Sequence, residues 1–195
     1  YCVLDDSKEI FGLEKIGMKR VLSNFRIEKL DKSKKSWVNN WHKVNISGEQ
    51  VVYCIMNKIE PGIEIGKVKI MFEDRKILKE YVKIGVFRGI FRVSDFNGRN
   101  VLIKDENKLV SIDEGDIGKR VSIFGGREKW LVKKLNKDKS IINEILNEIE
   151  VGRNLKKEKV VKKMKEYKFN DDICNEILNN WKNLYKDLKS EGVEF

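Results

Sequence analysis

Residues 93–115 read VSDFNGRNVLIKDENKLVSIDEG, and what they fold into decides the kind of molecule this is. Two short apolar runs, VLI at 101–103 and LVSI at 109–112, flank the polar KDEN at 104–107, which is a strand–turn–strand pattern. Asp95 and Asn100 precede the first run, and Asp113 leaves the second, followed by Glu114 and Gly115. A tight hairpin brings its two ends together. Asn100 and Asp113 are therefore expected to converge on one point, with Asp95 on the loop just before it.

Outward from the hairpin, residues 67–91 place Ile70, Met71, Ile77, Leu78, Tyr81, Ile84 and Phe87 close to one stripe. The spacing predicts a long helix facing a core, with an interruption at Gly85 or Gly89. Upstream, 37–46 and 50–59 read as strands joined by a Ser47-Gly48-Glu49 turn, the second apolar throughout 51–56 as in a strand buried on both faces. The only proline, Pro61, is expected to end that strand and mark the best break in the chain. Ile10, Leu13, Ile16 and Leu22 lie near helical spacing and predict a helix over 8–24. Downstream of the hairpin the pattern is helical. Ser140 is the expected N-cap of one helix, 155–167 is a basic helix with a seam of Val160, Val161, Met164 and Tyr167, and the Asn-Asp-Asp at 170–172 opens another. Helix, strands, helix, hairpin and helices in that order describe an α+β fold rather than alternating α/β.

The chain has 195 residues, 41% of them hydrophobic and 37% charged, a globular balance. No apolar run approaches the roughly 18 residues of a membrane span, and YCVLDDSKE at the start is too short and too acidic for a secretory leader. Tyr1 stands where a methionine would, which fits a processed product or a fragment. Cys2, Cys54 and Cys174 are odd in number and far apart, which argues for reduced thiols in a cytoplasmic compartment and against a zinc site. His42 is the only histidine, so a histidine-rich metal centre is excluded. The net charge of +10, from 41 Lys and Arg against 31 Asp and Glu, suits polyanions such as nucleic acid, anionic lipid or phosphate groups. The lysines are spread along the whole chain, however, and charge alone selects no partner.

The residues at the hairpin ends suit one chemistry in particular. Phosphoryl transfer asks for a carboxylate that orients the attacking hydroxyl and for oxygen ligands that hold Mg²⁺ against a triphosphate. Mg²⁺ keeps several waters and takes only one or two protein carboxylates, so a sparse set of Asp and Asn is sufficient. The motif SDFNGRNVLIKDENKLVSIDEG resembles the catalytic loop and metal-binding hairpin of the protein-kinase-like superfamily, D-x-x-x-x-N followed by a hairpin and D-F-G. The five-residue step from Asp95 to Asn100 and the thirteen-residue step from Asn100 to Asp113 match that spacing, and IDEG is most similar to the atypical branch that includes phosphatidylinositol kinases. Asp138 and Asn143 repeat the first step but begin a helix, and the position thirteen beyond is Lys156.

The resemblance implies a protein-kinase-like fold: a partial N-lobe at 1–59 with a helix C-like element, strands and hinge, and a helical C-lobe at 60–195. It implies ATP and Mg²⁺ as cofactors, Asp95 as catalytic aspartate, and Asn100 and Asp113 as metal ligands. Met56, Asn57 and Lys58 would meet adenine at the hinge. Glu9 or Glu14 would be the helix C glutamate, and Lys119 and Arg120 would grip the acceptor. The sequence departs from the family pattern at several points: no glycine-rich loop or lysine-bearing strand precedes the first helix, Ser94 and Phe96 flank the aspartate, Glu114 replaces the Phe of D-F-G, and A-P-E is absent. A second chain or an upstream segment would have to complete the N-lobe, and the acceptor is open among protein, lipid and small molecule. Three other readings stand beside the enzyme. They are an ordinary surface hairpin, a pseudokinase scaffold acting through a partner, and a basic nucleic-acid-binding protein using the helices at 155–168 and 170–189.

Overall fold

The computed structural model of the chain describes residues 2–17, 19–23, 51–55, 59, 61–93, 96–104, 108–112, 122–124 and 128–195. Among them the architecture mixes helices with small antiparallel sheets, as an α+β reading expects. Helix α1 (Cys2–Lys8) is followed by strands β1 (Lys19–Ser23), β2 (Val51–Ile55) and β3 (Pro61–Glu64). Then come helix α2 (Arg75–Ile90), strands β4 (Val101–Lys104) and β5 (Lys108–Ser111), and helices α3 (Lys129–Lys137), α4 (Lys139–Glu150), α5 (Arg153–Glu166) and α6 (Asp171–Ser190). Strands β1 and β2 pair with each other, and β3-β4-β5 form a second sheet with β4 in the middle.

The core is built around α2. Ile77, Leu78, Tyr81, Val82, Ile84, Val86, Phe87 and Ile90 are all buried, so the helix is apolar on almost every side, as a central helix must be. It packs against α4, α6 and β5. Asp74 caps it, accepting from the backbone N–H groups of Lys76 (2.7 Å) and Ile77 (3.4 Å). The residues before Asp74 form two 3₁₀ turns, Ile65–Lys67 and Lys69–Glu73, where a helix was expected from residue 67. Gly85 and Gly89 do not interrupt α2. A Cβ on Gly85 would lie 2.9 Å from the Phe96 ring and one on Gly89 2.8 Å from Ile123, so both glycines let neighbouring side chains approach the helix backbone.

The expected helix over 8–24 is not present. α1 ends at Lys8, a 3₁₀ turn spans Glu9–Phe11, and Gly12 turns left-handed at φ 63. The amide of Leu13 then bonds back to the Lys8 carbonyl (3.0 Å), a glycine-type helix stop. Gly17 also has a positive φ of 79, and 19–23 is strand. Leu13 and Ile16 are buried as the spacing implied, and so is Phe11, but from a turn and an irregular segment. Pro61 opens β3 instead of ending a strand, at the first position where its missing N–H removes no ladder bond. The cap of α4 is Asp138, which accepts from the backbone and hydroxyl of Ser140, the residue expected to serve. Helix α6 begins as expected, with the Asn170 side chain accepting from Ile173 N (3.0 Å). Trp181 is fully buried in the core, its ring centroid 5.0 Å from that of Phe11, and Trp130 packs at the core edge. Among the described residues no helix is long and apolar enough to cross a membrane.

Candidate functional site

The hairpin read from the sequence is formed. Val101 pairs with Ser111, Leu102 with Val110, Ile103 with Leu109 and Lys104 with Lys108. One further bond closes its base: the amide of Ile112 donates to the carbonyl of Asn100 at 2.9 Å. Asn100 is buried, and its own amide donates to the Asn97 carbonyl at 3.0 Å. Asp113 follows Ile112 directly in the chain. Asp95 and Asp113 lie outside the described residues, as do Met56, Asn57 and Lys58 of the expected hinge, Lys119 and Arg120 of the expected acceptor site, and His42.

The loop that leads into Asn100 is held from several sides. α2 ends in a reversal in which Arg92 takes φ 50 and Val93 N bonds to Arg88 O (2.8 Å). The Arg92 side chain ion-pairs with Glu176 of α6, and Asn180 of α6 donates to the Ile90 carbonyl (3.2 Å). Phe96, next to Asp95, is buried with its ring centroid 4.7 Å from that of Tyr81. The Asn97 side chain accepts from Arg99 N at 2.8 Å, an Asx turn that shapes the loop. Beneath it sits Glu128, a buried carboxylate that accepts from Tyr81 Oη (3.0 Å), Gly98 N (3.2 Å) and Trp130 Nε1. Burial first, and then the Glu128 charge, push the Tyr81 hydroxyl far above the ordinary phenol range, so it remains a donor at any working pH.

Gly98 also crosses the 3₁₀ turn after β3. Gly66 N donates to Gly98 O at 2.9 Å, and the two backbones are so close that a Cβ on Gly98 would lie 2.7 Å from Gly66 Cα. This crossing floors a pocket of about 460 Å³ lined by Glu64, Gly66, Lys67, Asn97, Gly98, Arg99 and Glu128. Glu64 and Lys67, three residues apart on its rim, form an exposed ion pair at 3.0 Å. The lining residues carry both signs of charge.

Two more side chains hold the second strand at the same base of the hairpin. Arg88 Nη1 donates to Ser111 Oγ (3.1 Å) and to the Ile112 carbonyl (2.9 Å), and Lys8 Nζ donates to the Ser111 carbonyl (2.8 Å). Asp5 lies 3.4 Å from Lys8 Nζ and accepts from Ile16 N (2.7 Å) and Gly17 N (2.8 Å). Lys8, Asp5 and Arg88 are all completely buried. Sequence reading missed all three, together with Glu128. One signal existed for Arg88: it continues the core-facing series Ile77, Tyr81, Ile84 by one more step of four, and a charge on a buried stripe marks an internal contact.

Neither glutamate expected on a helix C lies in an α-helix. Glu9 lies in the 3₁₀ turn and is exposed, 3.8 Å from Lys15. Glu14 lies beyond Gly12 and pairs at 2.6 Å with Lys104, a strand lysine, but one on the hairpin's own β4. The reason is the Gly12 stop, which ends the helix before Glu14 and lays the following segment along the hairpin. Among the described residues no three His, Cys, Asp or Glu side chains gather in a metal-binding group. No family model matches the chain, and no similar curated protein or solved structure was found.

Proposed function

We propose that the chain is an ATP- and Mg²⁺-dependent phosphotransferase of the protein-kinase-like type, acting on a hydroxyl acceptor. The observation that supports this most directly is the closed base of the hairpin. Opposed residues in an antiparallel pair have Cα atoms about 4.5–5.5 Å apart, and consecutive Cα atoms lie about 3.8 Å apart. Asn100 and the position that follows Ile112 in the chain would therefore have Cα atoms no more than roughly 9 Å apart. Two ligands of one Mg²⁺ each lie about 2.1 Å from it, and an Asn and an Asp side chain span that difference. In this reading Asn100 and Asp113 hold the ion and Asp95 orients the acceptor hydroxyl and takes its proton. The backbone at Met56–Lys58 meets adenine. Mg²⁺, when bound, would neutralise charge on the phosphates. The polar pocket beside Asn97 and Arg99 opens next to Asp95 in the chain and is the place for a polar acceptor, whether protein, lipid headgroup or small molecule.

Thermal unfolding with ATP, with and without Mg²⁺, tests the proposal. A nucleotide at a hundredfold excess over its dissociation constant stabilises by about 2.7 kcal/mol, which is roughly 5–10 °C for a chain of this length. Asp113→Ala is expected to abolish the Mg²⁺-dependent shift. Asp95→Ala is expected to keep that shift and lose phosphoryl transfer, read as ADP formed per acceptor. A stabilised wild type that transfers nothing would instead be a pseudokinase scaffold. A wild type indifferent to Mg²⁺ and ATP ends the reading altogether.

A further inference from the structure

Acids of the helical half are engaged by their neighbours. Glu144 and Glu148 meet Arg75, Lys79 and Lys83 between α2 and α4, Glu176 holds Arg92, Asp171 holds Lys165, and Glu191 accepts from the amides of Ile123 and Phe124. One face of α6 has no such partner. Lys182, Tyr185, Lys186 and Lys189 recur at steps of three and four, so they share an arc about 100° wide. The three lysines are exposed, and among the described residues no carboxylate stands within ion-pair distance of them. Asp187, half-buried, falls about 100° outside that arc. Lys157 of α5 adds a fourth cation, its Nζ 6.0 Å from the Trp181 ring centroid. Burial first, and then the Arg153 charge with a contribution from Lys182, holds this ammonium below the ordinary lysine range, against the pull of Glu150. Tyr185 and Phe195 set two rings beside the row, 42% and 40% exposed with centroids 5.5 Å apart. A second row of exposed lysines, Lys129, Lys133 and Lys137 on α3, has no exposed aromatic ring on its helix.

We propose that this face of α6, with Lys157 of α5, binds single-stranded nucleic acid. Uncompensated positive charge on one face favours a polyanion. The lysines from 182 to 189 run about 10 Å along the helix and meet the phosphates of one strand, while its bases stack on Tyr185 and Phe195. A cationic track beside an aromatic platform is how single strands are held without sequence preference. A duplex keeps its bases inside, so it meets the lysines and not the rings. An anionic membrane shares the charge but takes up apolar side chains that reach into it. These two rings are more than half covered and lie against each other, so they present faces instead of protruding. Binding here neither requires nor excludes nucleotide at the hairpin.

The test is fluorescence anisotropy of a labelled oligothymidylate titrated with the full chain over a series of salt concentrations. Four lysine–phosphate contacts give an expected log–log salt slope of about −3, from about −0.7 per contact on a single strand. The triple variant Lys182→Gln, Lys186→Gln, Lys189→Gln is expected to leave a slope of about −0.7. The charge-matched triple Lys129→Gln, Lys133→Gln, Lys137→Gln is expected to leave the wild-type slope. Glutamine at exposed helical positions keeps the helix, because its propensity is close to that of lysine. Tyr185→Ala is expected to weaken binding about 5–100-fold at unchanged slope, and Tyr185→Phe to bind as the wild type does. Absence of salt-sensitive binding by the wild type, or an equal loss in both triples, overturns the assignment of this face. A duplex bound as tightly as the single strand, by wild type and Tyr185→Ala alike, overturns the single-strand reading. Co-sedimentation with phosphatidylserine vesicles without binding of the oligonucleotide overturns it in favour of a membrane surface.

Discussion

Gly98→Ala isolates the backbone crossing that floors the pocket. The added Cβ would stand 2.7 Å from Gly66 Cα and 2.9 Å from Gly66 N, and neither neighbour is the movable end of a side chain. Gly98 is not among the residues with a positive φ, so alanine is strained there by contact and not by its own dihedral angles. Relief requires the loop at 96–100 and the turn at 65–67 to part, which breaks the 2.9 Å bond from Gly66 N to Gly98 O. Overpacking of a closed contact costs about 1–3 kcal/mol, and a backbone hydrogen bond about 0.5–1.5 kcal/mol. The expected loss is about 2–4 kcal/mol, read in urea as a lower midpoint at unchanged slope, and in heat as roughly 5–15 °C. Gly152→Ala is the control: nothing lies within 4 Å of its Cβ, and only its φ of 65 opposes alanine, at about 1–2 kcal/mol. A Gly98→Ala protein within about 0.5 kcal/mol of wild type would refute the crossing.

Glu128→Ala leaves Tyr81 Oη, Gly98 N and Trp130 Nε1 without their acceptor; the expected cost is about 3–5 kcal/mol in urea unfolding, and a smaller one for Glu128→Gln, which keeps an acceptor oxygen. The α2–α4 face carries an ion-pair ladder in which hydrogen bonds from Arg75, and then from Lys79, hold the Glu144 carboxyl at about 2 instead of 4.5. A carboxyl with a depressed folded value stabilises above its unfolded value, and that contribution fades as pH falls from about 4.5 towards 2; the stability difference between wild type and Glu144→Gln is expected to shrink over that window and in high salt, and a difference independent of pH would count against the ladder. Asn170→Ala removes the oxygen that caps α6 at Ile173 N; a loss of about 1 kcal/mol is expected, and no loss would mean the cap is idle.

The sequence by itself determined the elements whose signals are local. Two short apolar runs about a polar turn specify the hairpin at 101–111, and a 3.6-residue repeat specifies α4 and α6, because in those helices the side chains that must be buried lie on one face whatever they are buried against; α2 is read from its length of apolar sequence, and is buried on almost every side. The same local logic misplaced the first helix. Leu13 and Ile16 are buried and Ile10 is partly buried, as their spacing suggested, but Gly12 and Gly17 have positive φ and β1 occupies 19–23. Helical spacing does not distinguish a helix from a turn followed by extended chain when a glycine intervenes. The long-range contacts were decided only by the tertiary structure. Lys8 reaches Ser111, Glu128 accepts from Gly98, and Gly66 crosses Gly98 because the α2-centred core folds these distant segments onto one another. Such contacts have no period and no spacing along the chain. They are set by which buried groups still need a hydrogen-bond partner once the core has closed.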